Sequence, residues 1–563
     1  MSLRVALACT MALLVDAALP LALEAGSARP PTPVKEQLRA RVEALQDSTA
    51  GAARVGPVPL RVVSGIVRYY RQAEFEPAWT RPTGPTPRVD SLLALLRSAD
   101  QDGLRPADYH VAVIDSLRRR LRGRSGTGPL SAAQLVDVEL LCTDAFLLYG
   151  SHLLTGRVDP TAVAPSWSLD ERQADLVQHL ERVRAGTPLR RVRAALRPPR
   201  PEYAALRQAL ARYRSIEAQG GWPALPSGPL LALGTKHAQV PRLRRRLQRT
   251  GDGAAAPTRD DSLRVGPALD RAVRHFQARH GLAVDGVVGP ATRAALNVPV
   301  SARIRQLLLN LERQRWLPAN LGRIHVRVNI AGFTLRVLDA GAEALRMRVI
   351  VGTPYRQTPV FSEQMSYLVF NPYWHVPRSI AVNDLLPTFR RDPSRVTDRG
   401  FEVLRGWGAN ATTVDPSTLD WDRFSASYFP YRLRQRPGPQ NALGEVKFMF
   451  PNPHDVYLHD TPGRVRFAQA ERSFSSGCIR VERPLDLAAF LLRDAPGWSR
   501  SRIAATMRGR TEQTVLLPET VPVHLLYWTA WATPGGPVHF RRDVYGRDAD
   551  VHAALTAPFS PAP

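Results

Sequence analysis

Late in the chain, the run Ser473-Phe474-Ser475-Ser476-Gly477-Cys478-Ile479-Arg480 sets a cysteine behind small residues and just ahead of an arginine. Small neighbours let an acyl group approach a thiol closely, and Gly477 leaves room for the backbone N–H groups of Gly477 and Cys478 to face an oxyanion. A thiol is mostly protonated at neutral pH, so it becomes a nucleophile only beside a base or a cation. His459 lies nineteen residues upstream in Val-Tyr-Leu-His-Asp, at a strand end, and two neighbouring strands would bring its imidazole beside the sulfur. Arg480 would add positive potential or pair with a substrate carboxylate. Tyr457 alternates with His459 and is expected on the same strand face. Local sequence leaves four fates open for Cys478: nucleophile, inert packed thiol, zinc ligand, or disulfide partner of Cys142. No second cysteine lies nearby, His454 and His459 lack a paired ligand spacing, and Cys142 sits in an apolar run that predicts a packed thiol.

The elements that must position these residues are legible in the period of the apolar positions. Ile324, Val326, Val328 and Ile330 alternate, which predicts a strand with one apolar face; Phe333–Asp339 and Leu345–Gly352 continue the pattern. A β-rich domain is therefore expected from about residue 320 to 508. The strand pattern lapses over about 380–444, an insertion long enough to act as a mobile lid. Residues 509–563 read as a C-terminal β extension whose last hairpin turns at Gly535-Gly536. Upstream, a helix is expected over Ala302–Gln314. Trp374 and Tyr373 are candidates for an aromatic wall of the site, and Arg356 for a carboxylate contact.

The remainder reads as helical. Leucines at three- and four-residue intervals run through 29–230 without a catalytic constellation, which predicts a scaffold. A compact unit follows at 237–297, with Val273 and Phe276 on one helical face, Gly281 as a left-handed cap and Pro290 in a first turn. The arginine run Arg242–Arg249 is expected to be a solvated helix face.

At 563 residues the chain calls for several domains, and 44% hydrophobic content suffices to pack them. The formal charge of +26 invites a nucleic-acid reading. Only three of the 76 basic residues are lysines, Lys35, Lys236 and Lys447, and the arginines are scattered rather than clustered, so nucleic acid is not the expected partner. Long-range attraction to an anionic cell envelope is a fair consequence. Arg4, an apolar run from Val5 to Val15 and small residues at Ala25–Ala28 form the layout of a secretory signal over 1–28, and export to the periplasm is expected.

Two resemblances sharpen this reading. Leu247-Gln248, Phe276-Gln277, Gly281-Leu282, Asp285-Gly286 and Gly289-Pro290-Ala291-Thr292 resemble the recurring pattern of the three-helix peptidoglycan-binding module. His459-Asp460-Thr461-Pro462 followed by Ser475-Ser476-Gly477-Cys478-Ile479-Arg480 resembles the L,D-transpeptidase catalytic domain, with Val351–Ser362, Phe370–Ala381 and Asn441–Asn452 closest to its large periplasmic subgroup. Many members carry histidine where this chain has Ser476. The resemblance implies a multidomain α+β protein: helical scaffold, peptidoglycan-binding module and β-rich catalytic domain with a lid. It implies that Cys478 attacks a tetrapeptide stem, that His459 is the base, that Gly477 and Cys478 form the oxyanion hole, and that the thioester resolves as a 3→3 crosslink. Water in place of the acceptor would give an L,D-carboxypeptidase, and a dead site a structural wall-binding protein. The implied partners are peptidoglycan stem peptides and glycan, with carbapenem-type β-lactams as covalent inhibitors and no cofactor or metal.

Overall fold

The computed structural model describes residues 33–46, 53–122, 131–253 and 262–558; the expected export signal lies outside them. Nine strands build the catalytic sheet: β1 (Ile324–Asn329), β2 (Thr334–Asp339), β3 (Ala342–Gly352), β4 (Phe361–Phe370), β5 (Val446–Met449), β6 (Leu458–His459), β7 (Ser473–Ser475), β8 (Ile479–Val481) and β9 (Gln513–Leu526). Their order is β7-β3-β8-β6-β5-β4-β9-β1-β2, and a further pairing of β3 with β2 closes the sheet on itself. Closure is possible because β3 is long enough to serve three partners, Leu335 facing Met347, Val481 facing Val349 and Ser473 facing Val351. Closure also removes the exposed edges an open sheet would present.

Alternation predicted one buried face for β1, but both faces are buried. Val326 and Val328 enter the core, while His325, Arg327 and Asn329 are covered from the other side. There Arg327 pairs with Glu202 of the scaffold helix Pro201–Ala218 and lies 5.1 Å from the Trp528 ring centroid.

The domain boundary expected at residue 508 also moves. β9 runs parallel to β1 through Val523↔Val326 and antiparallel to β4 through Val515↔Leu368, in the middle of the sheet. The sheet therefore needs the chain to about residue 526. Beyond it, among the described residues, lie the hairpin Ala530–Ala532 with Val538–Phe540, turning at Gly535 (φ 65°), and the helix Arg547–Thr556, so the expected C-terminal β extension is only partly β. That hairpin packs on the scaffold and on the helical module: Phe540 meets Tyr213 at 5.5 Å and His280 at 5.6 Å.

The helix Val300–Arg315 ties these units together. Arg315 is fully buried, ion-paired with Glu312, and donates to the Asp102 carbonyl of the scaffold at 2.7 Å. Glu312 in turn accepts from the amides of Arg157 and Val158. A buried charge is costly unless paired; here Arg315 and Glu312 pair with each other and with the surrounding backbone, and only Arg315 Nε has no partner among their polar atoms in the described residues.

In the helical module, Leu243, Leu247, Val273 and Phe276 form the core, and Gly281 adopts φ 69°. The recurring residues have a structural reason. Buried Gln277 donates to Asp285 (2.7 Å), the Val287 carbonyl and Thr292 and accepts from the Gly286 amide (2.9 Å), so it holds the loop to the last helix. The arginine run is only partly solvated: Arg246 is 1% exposed, lies over the Trp222 ring at 4.0 Å and donates to the Leu296 carbonyl. Its stem and planar head pack as an apolar slab would, which period alone does not reveal.

The segment 371–445 replaces the turn between adjacent strands β4 and β5 (Phe370↔Val446). It is a folded subdomain, not a bare loop. A four-stranded antiparallel sheet, ordered Thr412–Val414, Phe401–Arg405, Arg432–Gln435 and Trp374–His375, packs on Phe389, Val396 and Trp421. Its neck is pinned where the Asn371 amide donates to the Glu445 carbonyl (2.8 Å) and Asn441 donates to the Pro372 carbonyl (2.9 Å). The first strand begins at Trp374, so the unit starts earlier than the expected residue 380.

Two outcomes follow. A chain ending at residue 508 lacks the strand between β4 and β1 and will give no cooperative unfolding transition for the catalytic domain, whereas one ending at 541 will retain it. Acidification will destabilise all three units. Burial lowers His152 to about 3 and His524 to about 4, and holds His280 well below its usual range. Each is neutral when folded but takes a proton once unfolded, so stability falls as pH drops below about 6.5, by about 1.4 kcal/mol per unit for each fully buried ring. Urea midpoints at pH 7 and pH 5 measure the effect.

Candidate active site

Strands β6 and β8 are parallel neighbours, with Leu458 opposite Ile479 and His459 opposite Arg480. On the other side of β6, His459 faces Lys447 of β5. Lys447, His459 and Arg480 thus form a row across three strands, and Tyr457 shares their face. The row opens into a cavity of about 1170 Å³ between the closed sheet and the subdomain, lined by Trp374, Trp407 and Tyr431 from the subdomain and by Cys478.

The backbone before Cys478 is a tight turn. Gly477 has φ 119°, a conformation that side chains rarely adopt. The Ser475 hydroxyl donates to the Cys478 carbonyl (2.5 Å) and accepts from the Gly477 amide (3.2 Å). The Gly477 N–H, expected in an oxyanion hole, is therefore occupied by Ser475 Oγ, while the Cys478 amide has no acceptor among the described residues. From below, Thr358 Oγ1 donates to the Gly477 carbonyl (2.8 Å) and accepts from the Gly352 amide (2.9 Å). Gly352 must lack a side chain, since a Cβ there would lie 2.0 Å from the Arg356 carbonyl oxygen. The Tyr545 hydroxyl completes this support, donating to the Gly352 carbonyl (2.7 Å) and accepting from the Thr358 amide (3.2 Å). Thr358 lies in the run Val351–Ser362, but its supporting role and that of Tyr545 are not legible in the sequence, because they depend on backbone atoms of Gly477 and Gly352 brought together only by the fold.

Cys478 is half-buried, and its Sγ lies 3.6 Å from the Asp455 carbonyl. Burial pushes the thiol up; the Tyr457 amide and hydroxyl oppose this by hydrogen-bonding the sulfur, and the charges of Lys447 and Arg480 oppose it at longer range. Cys142 is fully buried in the scaffold helix Ala132–Leu154, its thiol driven well above the usual range by desolvation. Both thiols are free, so they share no disulfide.

His459 is buried, and Nδ1 donates to the Asp460 carbonyl at 2.5 Å. A second backbone carbonyl, that of Leu443, also faces the ring. Desolvation first, then the charge of Arg480, lowers its pKa to about 3, so the resting ring is neutral. No hydrogen bond among the described residues joins the imidazole to Sγ; the expected juxtaposition is met at the level of the strands, not of the two side chains. Asp460 is a structural carboxylate, accepting from the Glu445 amide and Arg464.

Arg480 lines the cavity with its Nε buried and unpartnered. Arg356, expected to meet a substrate carboxylate, is not free. It forms a two-pronged pair with Asp384 of the subdomain, one prong at 3.0 Å, and donates to Ser476 Oγ at 3.1 Å. It therefore links the subdomain to the residue preceding Gly477-Cys478. Trp374 is half-buried, packed on the subdomain core with its ring 6.1 Å from Phe401, and forms part of the cavity wall. Among the described residues, no group of three His, Cys, Asp or Glu side chains converges to hold a metal, and His454 is exposed.

With this geometry in hand, comparison with known proteins is specific. Residues 323–515 match the model of the L,D-transpeptidase catalytic domain, 236–296 that of the "Putative peptidoglycan binding domain", and 64–210 that of a scaffold domain. A curated Haemophilus influenzae protein named "Putative L,D-transpeptidase" is 37% identical over 250 residues, 44% of this chain and 49% of that protein, so the match spans about half the length of the relative. Among solved structures, the L,D-transpeptidase of Mycobacterium smegmatis aligns at 13% identity over 36% of this chain and 58% of its own (TM-score 0.18). One from Xylanimonas cellulosilytica aligns at 15% over 54% and 99% (TM-score 0.17). The chain thus carries a scaffold domain, a peptidoglycan-binding domain and a catalytic domain of the L,D-transpeptidase family.

Proposed function

We propose that the protein is an exported L,D-transpeptidase that forms 3→3 crosslinks between peptidoglycan stem peptides through a thioester on Cys478. The observation that carries this reading is the Cys478 thiol in the lining of a cavity of about 1170 Å³, with Tyr457 and the cationic Lys447 and Arg480 close to the sulfur. The matched catalytic domain supports the reaction class and the helical module supports the substrate.

In this scheme Cys478 Sγ attacks the carbonyl carbon of the third stem residue. The C–N bond to the terminal D-alanine breaks, and the amine departs with the proton the thiol gave up. The acceptor's side-chain amine then attacks the thioester carbonyl, the C–S bond breaks, and a new amide forms as the thiol is restored. His459 carries the proton in both steps, a contribution of about 10²- to 10⁴-fold for a positioned acid–base group. Its ring and the sulfur share no hydrogen bond, so the transfer needs a ring rotation or one bridging water. The free Cys478 amide faces the developing oxyanion, with the Gly477 amide held in reserve by Ser475. Arg480 takes a substrate carboxylate, a role its unpartnered Nε suits. The subdomain closes the cavity through the Arg356–Asp384 pair, and a carbapenem would acylate the same sulfur.

Incubating the protein with disaccharide tetrapeptide and reading products by mass tests the scheme. Crosslinked dimer with free D-alanine is expected, and Cys478→Ala abolishes both. Tripeptide without dimer assigns a carboxypeptidase instead, and unchanged substrate a structural wall-binding protein. A double-mutant cycle tests the clamp. Arg356→Ala and Asp384→Ala should each lower kcat/KM several-fold, and the double variant should lose no more than either alone; additive losses would show that the two residues act separately.

A further inference from the structure

Lys447 is one of three lysines in the chain, and it stands directly across from His459 in the row that faces the cavity. Val446 and Phe448 on either side of it are fully buried in the core, so alternation turns Lys447 to the opposite face. Its ammonium lies 4.1 Å from the centroid of the Tyr457 ring, and that tyrosine shares the strand face that leads to Cys478 and acts electrostatically on its sulfur. Among the described residues it has no salt bridge and no hydrogen-bonded acceptor; its close neighbour is the Tyr457 ring.

Cross-strand neighbours lie about 4.5–5.5 Å apart at Cβ. Three positive charges in such a row would repel one another, and only the central imidazole can shed its charge near neutral pH. His459 is flanked on both sides, by Lys447 and by Arg480, and is desolvated as well. A resting thiolate–imidazolium pair is therefore disfavoured. The permanent cations are what remain to hold a negative sulfur, and Lys447 is the one capped over the Tyr457 ring.

We propose that Lys447 is a positioning residue for the nucleophile: its ammonium supplies the positive charge that stabilises the Cys478 thiolate, leaving His459 neutral and able to carry protons. The proposal rests on the reading of Cys478 as the nucleophile. The groups facing Lys447 are Cys478, Tyr457, Asp455, Glu512, His459 and His375; those facing Cys478 are Lys447, Arg480 and Tyr457. Glu512 is engaged at the Tyr373 amide (2.8 Å), and Asp455 is exposed, so neither neutralises Lys447 directly.

The pH dependence of Cys478 alkylation tests this, using the full chain and iodoacetamide, a small neutral electrophile that needs no substrate site. Modification is read by peptide mass, and buried Cys142 serves as the internal control. The expected result is that Lys447→Met moves the profile up by about one pH unit, lowering the rate about tenfold at pH 7. Lys447→Arg should restore the wild-type profile, and His459→Ala should leave the midpoint in place. Lys447→Gln repeats the charge loss if the methionine variant folds poorly, with melting curves as the check. An unmoved profile in folded Lys447→Met or Lys447→Gln overturns the proposal. So does an upward shift in His459→Ala as large as theirs, which would make imidazolium the counter-ion. A raised KM for tetrapeptide with unchanged alkylation overturns it too, by making Lys447 a substrate anchor. Wild-type Cys478 that resists alkylation at every pH, yet forms no acyl adduct, removes the nucleophile reading itself.

Discussion

The parallel pairing of two very short strands, Leu458–His459 with Ile479–Val481, is the constraint on which the site depends. It sets His459 against Arg480, brings Cys478 into the cavity lining, and leaves Lys447 as the other neighbour of the histidine. Strands of two and three residues do not hold themselves together. They are kept in register because the sheet around them closes, and because the turn before Cys478 is fastened by Ser475, Thr358 and, through Gly352, by Tyr545.

The same closed sheet explains why the chain beyond Cys478 cannot be spared. β9 fills the gap between β4 and β1, and the following segment carries Tyr545 back to the loop beneath Cys478. The subdomain grows from a place in the barrel where a long excursion costs little, a link between two strands already paired at Phe370 and Val446. A core of its own keeps it folded while Arg356 and Asp384 tether it to the nucleophile turn.

Local chemistry was legible in the sequence where the determinants are local. Alternation marked the strands, Gly281 and Pro290 marked helix ends, and the run around Cys142 marked a packed thiol. The partnership of the His459 and Cys478 segments followed from their interval. What could not be read depends on residues far apart in the chain. Gln513–Leu526 looks like an appended strand until Val326 and Leu368 are known to flank it. Arg246 looks solvated until Trp222 covers it, and Arg356 looks free until Asp384 occupies it. The Gly477 amide is spent on a serine two residues away, a local contact that only the actual turn geometry reveals. Lys447 drew no attention because a lone lysine in a strand carries no motif; its meaning comes entirely from the register of β5 on β6.

The central claim is that Cys478 forms a covalent acyl bond with a peptidoglycan stem. Its most direct measurement is the intact mass of the protein quenched in acid during reaction with a tetrapeptide donor and no acceptor amine. The account predicts an added mass equal to the donor less D-alanine, localised by peptide mapping to Cys478 and discharged by hydroxylamine. Turnover of the donor with no adduct at any time, or an adduct on another residue, would contradict it.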